Sequence, residues 1–166
     1  MIEILRLSHR LRRDPRISTH VALVARAFGA DKLYYSGQHD SALEDSVNNI
    51  VKQWGGNFKI QYLKNYSNLI KAHKNIVHLT MYGLPIEKTI SKIKKHKNLL
   101  IIIGGEKVPP EIYKLSTYNI SVTQQPHSEV AALAILLDKL NLKTNFKNSK
   151  LKVIPQEKGK KTTKFI

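Results

Sequence analysis

Apolar and polar positions along this chain change period many times, and the densest hydrophobic run lies past its middle. Leu99, Leu100, Ile101, Ile102 and Ile103 are consecutive large apolar residues. With no polar alternation they read as a strand buried on both faces, the pattern at the centre of a parallel sheet covered by helices. Shorter apolar runs at 2–7, 33–35, 76–80 and 118–122 predict further strands. Phe58, Ile60 and Tyr62 alternate with polar neighbours, as a half-buried edge strand does. Between these runs the spacing becomes helical. Val21, Val24, Ala25 and Phe28 follow Ser18 and Thr19, either of which can cap a helix that Gly29 stops. Ser41 and Glu44 have capping-box spacing, and Leu43, Val47, Ile50, Val51 and Trp54 form one stripe ended by Gly55 and Gly56. Further helices are predicted at 66–73, around Ile86, Ile90 and Ile93, after Pro109 to about 116, and over 128–140, where Ala131, Ala132 and Ala134 allow close packing.

Strand and helix alternate throughout, which predicts an α/β fold with a mainly parallel sheet and helices on both faces. Residues 1–142 are expected to form one domain. Residues 143–166 lose periodicity and fill with lysine, so they read as a tail; 151–154 could add a short edge strand, and the end from Gln156 looks unstructured when free.

The totals narrow the classes. A length of 166 residues suits a single α/β core. No apolar run approaches the ~20 residues of a membrane span, and no signal-peptide h-region opens the chain. The chain has no cysteine, which excludes disulfides, thiolate zinc sites and a cysteine nucleophile. A soluble, cytoplasmic protein with no membrane partner is expected. The formal net charge is +16, and its placement is uneven. Residues 6–16 hold five arginines and one acid, and residues 139–166 nine lysines and one acid; these segments carry +4 and +8, together +12 of the total. Basic ends beside a nearly neutral core form the electrostatic footprint of a nucleic-acid binder, with a solvated lysine-rich tail as the plain alternative. The candidate RNA contacts are Arg6, Arg10, Arg12, Arg13, Lys150, Lys152, Lys158, Lys160 and Lys161.

Common catalytic motifs are missing. The chain has neither a GxxxxGK[ST] loop nor GxGxxG after the first strand, and neither HExxH nor G-x-S-x-G. Its seven histidines form no i, i+4 helical pair, so no metal is expected. His20 and His78 sit among apolar residues and read as packed; His127, beside Ser128, reads equally as a helix cap or a site residue. Three loops remain, at 80–85, 104–109 and 122–128, each following a predicted strand. In a parallel sheet they converge on one edge, where glycines, backbone amides and apolar cover suit an uncharged, adenosine-like ligand better than a triphosphate.

These loops, the small-residue helix at 128–140 and the helix ending in Ala27-Phe-Gly-Ala-Asp31 resemble the SPOUT class of RNA methyltransferases. More closely, Leu5-Arg-Leu-x-His-Arg10, Arg13-Asp-x-Arg16, the run from Thr19 to Ala30, His78-Leu-Thr-Met-Tyr-Gly83, Gly105-Glu-Lys-Val-Pro109 and the run from Gln125 to Ala134 are similar to the archaeal tRNA cytidine-56 2′-O-methyltransferases. The resemblance implies a C-terminal deep trefoil knot, a homodimer, S-adenosylmethionine as cofactor and a tRNA ribose as target. It assigns cofactor contacts to Leu79, Met81 and Gly83, then to Gly104, Gly105, Glu106, Lys107 and Val108. From the third loop it adds Val122, Thr123, Gln124, Gln125, Pro126, His127, Ser128 and Glu129. Many members of the wider class carry a catalytic arginine six residues before the glycine ending the first long helix, but here that position is Leu23. The candidates then lie in the preceding loop: Arg16 first, followed by Arg13 and Arg10, with phosphate contact as the other role for each. A non-catalytic RNA-binding α/β module and a SPOUT enzyme acting at another RNA position are the alternatives.

Overall fold

The computed structural model describes residues 1–105 and 107–164. Its core is a six-stranded parallel sheet in the order β3-β2-β1-β5-β4-β6. The strands are β1 (Ile2–His9), β2 (Lys32–Gly37), β3 (Lys59–Tyr62), β4 (Ile76–Pro85), β5 (Leu99–Gly104) and β6 (Tyr118–Ser121). The run at 99–103 occupies the interior of the sheet, flanked by β1 and β4, and all five residues are buried. Its alternate side chains serve two cores. Leu99, Ile101 and Ile103 join the larger core under α1 (Pro15–Ala27), α2 (Ser41–Trp54), α4 (Ile86–Ile93) and α6 (Glu129–Leu140). Leu100 and Ile102 face α3 (Ser67–Ala72) and α5 (Pro110–Leu115). Both faces are covered, which explains why this strand carries no polar alternation.

The helix starts depart from the sequence reading in two places, each through a tertiary bond. α1 begins at Pro15, three residues ahead of the expected cap, and proline suits the first helical turn. Ser18 caps nothing: its hydroxyl is buried 2.7 Å from Nδ1 of His9. For α2 the cap is Asp40, whose Oδ1 accepts from the Leu43 amide at 3.0 Å, and not Ser41. Its other oxygen lies 3.1 Å from His9 Nε2. Glu44 is drawn away from a capping box and accepts from the Tyr35 hydroxyl (2.9 Å) and the Tyr62 amide (3.2 Å), tying β2 to β3.

The basic end of the chain does not extend the main sheet. β7 (Leu151–Val153) pairs antiparallel with β8 (Thr162–Lys164) in a separate hairpin, so the expected edge strand has a different partner and the last described residues are paired. Before the hairpin, residues 142–150 cross the ends of α1 and α2. Gly55, with φ +73, lies against this crossing, the Gly56 amide donates to the Lys147 carbonyl at 2.9 Å, and the Arg26 guanidinium stacks 4.7 Å from the Phe146 ring centroid.

Candidate active site

The order β5-β4-β6 sets three consecutive strand ends side by side, so the loops after them share one edge of the sheet. β4 behaves unusually there. Leu79 pairs with Ile120, residues 80–83 leave the ladder, and Leu84 pairs with the same Ile120. The excursion is held down by the Ser121 hydroxyl, which donates to the Gly83 carbonyl at 3.1 Å. Gly83 is buried directly on the β6 backbone, so closely that a Cβ would overlap the Ile120 amide. Gly104, at the end of β5, leaves the room that the Val108 side chain takes, while Gly105 faces open space.

Between these loops lies a cleft of about 630 Å³, within the range of small-molecule sites. Of the residues expected as cofactor contacts, Leu79, Met81, Gly104, Gly105, Val108, Val122, Pro126, His127, Ser128 and Glu129 line it. Gly83, Lys107, Thr123, Gln124 and Gln125 do not line it. Gly83 acts through the backbone contact, and Lys107 and residues 123–125 are exposed. Glu106 lies outside the described residues. His127 is a lining residue and not a cap, because Ser128 Oγ accepts from the Val130 amide at 3.2 Å.

Sequence reasoning missed several walls. Ile17, Ile103, Ile120 and Ala132 are apolar lining residues. His78 and Tyr113 also line the cleft, with their rings edge to face at 4.6 Å, and the Tyr113 hydroxyl is 3.3 Å from Thr80 Oγ1. His78 was read as packed because its neighbours Val77 and Leu79 are apolar; packed it is, but at the bottom of the site. The hints in the sequence were its position two residues before the first loop and its place in the His78–Gly83 motif.

The arginine loop reaches the site through α1. Ile17 lines the cleft and the exposed Arg16 directly precedes it in the first turn of that helix. Arg13 is exposed, while Arg10 Nε donates to Asp14 Oδ2 at 3.1 Å. Burial works to raise the Asp14 carboxyl, but the Arg10 hydrogen bond and the charges of Arg6 and Arg10 outweigh it and hold the group below the usual carboxylate range.

Arg6 is a correction. Expected as an RNA contact, it is 1% exposed, its Nη2 donating to Glu129 Oε1 at 2.9 Å and lying 3.8 Å from Asp14 Oδ2. A guanidinium in the middle of a buried strand must be paired inside the protein, and Arg6 thereby joins the start of α6 to the start of α1. The other RNA candidates, Arg12, Arg13, Lys150, Lys152, Lys158, Lys160 and Lys161, are exposed, and Arg10 is half-buried. Among the described residues no group of His, Cys, Asp and Glu could hold a metal, and no helix is long and apolar enough to cross a membrane.

Known proteins match this chain over most of its length. The family model for a tRNA ribose 2′-O-methyltransferase, aTrm56, matches residues 54–163. The tRNA (cytidine(56)-2′-O)-methyltransferase of Thermococcus kodakarensis is 49% identical over 172 residues, covering 97% of this chain and 96% of that protein. The Methanocaldococcus jannaschii protein of the same name is 48% identical over 170 residues, covering 96% and 94%. Among solved structures, the A. aeolicus TrmH/SpoU tRNA modifying enzyme has a TM-score of 0.60 at 14% identity, covering 84% of this chain and 73% of that one. The SpoU methyltransferase AviRb from Streptomyces viridochromogenes, solved with AdoMet, has a TM-score of 0.62 at 13% identity, covering 84% and 56%. At such identities the structural likeness is one of fold.

Proposed function

Since this chain belongs to the tRNA ribose 2′-O-methyltransferase family aTrm56, we propose that it methylates the 2′-hydroxyl of cytidine 56 in tRNA, with S-adenosylmethionine as methyl donor. One observation carries the reading onto this molecule: the cleft at the ends of β4, β5 and β6 has the arginine-bearing first turn of α1 as one of its walls. A nucleoside pocket and a cationic edge thus adjoin.

The cleft fits the donor. Its size suits an adenosine-containing molecule, Gly105 leaves backbone open to approach, and the walls are mostly apolar with a few polar groups. Leu79, Met81, Gly104, Val108, Val122 and Pro126 would enclose the adenosine portion. When bound, S-adenosylmethionine supplies a methyl group activated by a sulfonium. The protein must bring the ribose hydroxyl to it. An aliphatic hydroxyl is a poor nucleophile until its proton is withdrawn or its developing charge is met by a cation. Arg16, exposed beside the cleft wall, is the group we assign to this task, and alignment of hydroxyl and methyl supplies much of the remaining acceleration. Arg10, engaged by Asp14, and Arg13 serve as phosphate contacts. We further propose a homodimer and the knotted C-terminal threading of the SPOUT class. The lysine-rich hairpin is proposed to lie along the tRNA backbone, where affinity falls with salt.

The test is methyl transfer from labelled S-adenosylmethionine to an unmodified tRNA transcript, followed by alkaline digestion, which cannot cut beside a methylated ribose. Label in an alkali-resistant dinucleotide containing C56 is expected. Label only in mononucleotides would mean a base methyltransferase, and tight tRNA binding without label a binding module. Arg16→Ala is expected to abolish transfer while keeping cofactor affinity; near-normal turnover would remove Arg16 from the mechanism.

A further inference from the structure

His78 is fully buried on β4, lines the cleft and has one ring nitrogen that no group among the described residues satisfies. Its protonation pattern follows from its neighbours. The Asn119 side-chain Nδ2 donates to the Tyr113 carbonyl at 2.8 Å, which orients the amide so that Oδ1 faces His78 Nδ1 at 2.9 Å. A carbonyl oxygen only accepts, so Nδ1 carries the hydrogen. Burial lowers the His78 pKa, the Asn119 bond opposes this only in part, and the ring stays neutral. Nε2 is therefore a bare, buried lone pair on a ring that meets the Tyr113 ring at a right angle, 4.6 Å between centroids.

A buried acceptor without a donor is costly, and an aliphatic side chain would avoid that cost. β4 supplies aliphatic residues on either side, Val77 and Leu79. An imidazole at the wall of a ligand cleft, locked into the tautomer that accepts, makes sense if the ligand brings the donor. Among the described residues no charged side chain bears on the ring: its titration is set by burial and Asn119. A neutral N–H or O–H matches that surrounding.

We propose that His78 is a cofactor-recognition residue, its Nε2 accepting a hydrogen bond from a neutral donor on the adenosine portion of the methyl donor, either the exocyclic amine or a ribose hydroxyl. This rests on the reading of the cleft as the S-adenosylmethionine site. Asn119 is then a positioning residue, holding the tautomer, and Tyr113 packs the ring in place.

Calorimetric titration of S-adenosylmethionine into the full chain tests this. His78→Leu is expected to weaken binding roughly tenfold, the scale of one neutral hydrogen bond, and His78→Gln to recover part of the loss through its amide oxygen. Analogues lacking the 6-amine, the 2′-hydroxyl or the 3′-hydroxyl identify the donor. One of them should bind the wild type more weakly than the parent does, yet show no difference between wild type and His78→Leu. If His78→Leu does not fold, imidazole nitrogen resonances of the wild type replace it: the Nε2 signal should shift on adding cofactor while Nδ1 stays protonated. Unchanged affinity in His78→Leu, or an unmoved Nε2 signal in a saturated protein, overturns the proposal and leaves the functional reading standing. A wild type that does not bind S-adenosylmethionine overturns both.

Discussion

An alanine at position 83 would push a methyl group into the backbone of β6. An ideal Cβ there overlaps the Ile120 amide and lies 2.6 Å from the Asn119 carbonyl carbon, about 0.8 Å inside the 3.4 Å at which ordinary contact begins. Gly83 does not have a positive φ, so the obstacle is space and not conformation. Neither side can yield easily, because Ile120 is paired with both Leu79 and Leu84. The loop at 80–83 must lift, straining the Leu84 rung and the 3.1 Å bond from Ser121 Oγ to the Gly83 carbonyl. Overpacking of this kind costs about 1–3 kcal/mol, and the hydrogen bond adds about 1 kcal/mol. At about 2–4 °C per kcal/mol for a chain of this size, the melting temperature should fall by roughly 4–16 °C. Met81 and Thr80 line the cleft from the displaced loop, so cofactor affinity should fall with it. Gly105→Ala is the matched control: nothing lies within 4 Å of its added methyl, and its stability should change by less than about 1 kcal/mol. Calorimetric melting with parallel cofactor titration decides. A Gly83→Ala protein that melts with the Gly105→Ala protein and binds cofactor as the wild type does would refute the close-approach argument.

Three further outcomes are expected. Arg6→Ala strands the carboxylate of Glu129, while Asp14 keeps its bond from Arg10, and should cost about 3–5 kcal/mol in urea unfolding, toward the lower end because the Glu129 side chain is 17% exposed; a loss under about 1 kcal/mol would contradict the buried pairing. His9 and His78 are both held neutral mainly by burial, so their pKa values are lowered in the fold and the unfolded chain takes up protons first. Stability should therefore be level above pH ~6.5 and decline as pH drops below it, with the contribution of Asp14, whose pKa is also lowered, persisting until pH falls below ~4. Urea midpoints at several pH values check this, and a midpoint that rises on acidification would contradict it. Ending the chain after Ile154 removes β8 with Lys158, Lys160, Lys161 and Lys164. Filter binding should then show weaker tRNA affinity and a shallower salt dependence, with cofactor affinity unchanged; unaltered tRNA affinity would count against a role for the hairpin.

Much of the site was legible in the linear chain because the relevant signals are local. Strand ends followed by glycine and proline announce where loops begin, and in a parallel sheet their convergence follows from the class of fold. The three loops were found that way, whereas most of the ten cleft-lining residues named in advance were assigned by the family resemblance. What escaped was whatever depended on a partner far along the chain. Arg6 looks like the arginines that follow it, and only Glu129, 123 residues later, shows that it belongs inside. Ser18 and Ser41 have the composition of helix caps, but His9 claims one, and Asp40 caps α2 in place of the other.

By itself the sequence determined the alternation of strands and helices, the placement of the Leu99–Gly104 strand inside the sheet, the edge of the sheet where the cleft opens and the basic character of both ends. Hydrophobic periodicity and turn chemistry act over a few residues and leave their mark in order along the chain. Tertiary structure alone decided which charges are internal, which nitrogen of His78 is left bare, why Gly83 has no room for a side chain and where the lysine-rich end turns back on itself. Those properties depend on distances between segments tens of residues apart, and burial makes an unpaired polar group costly only once such segments have met.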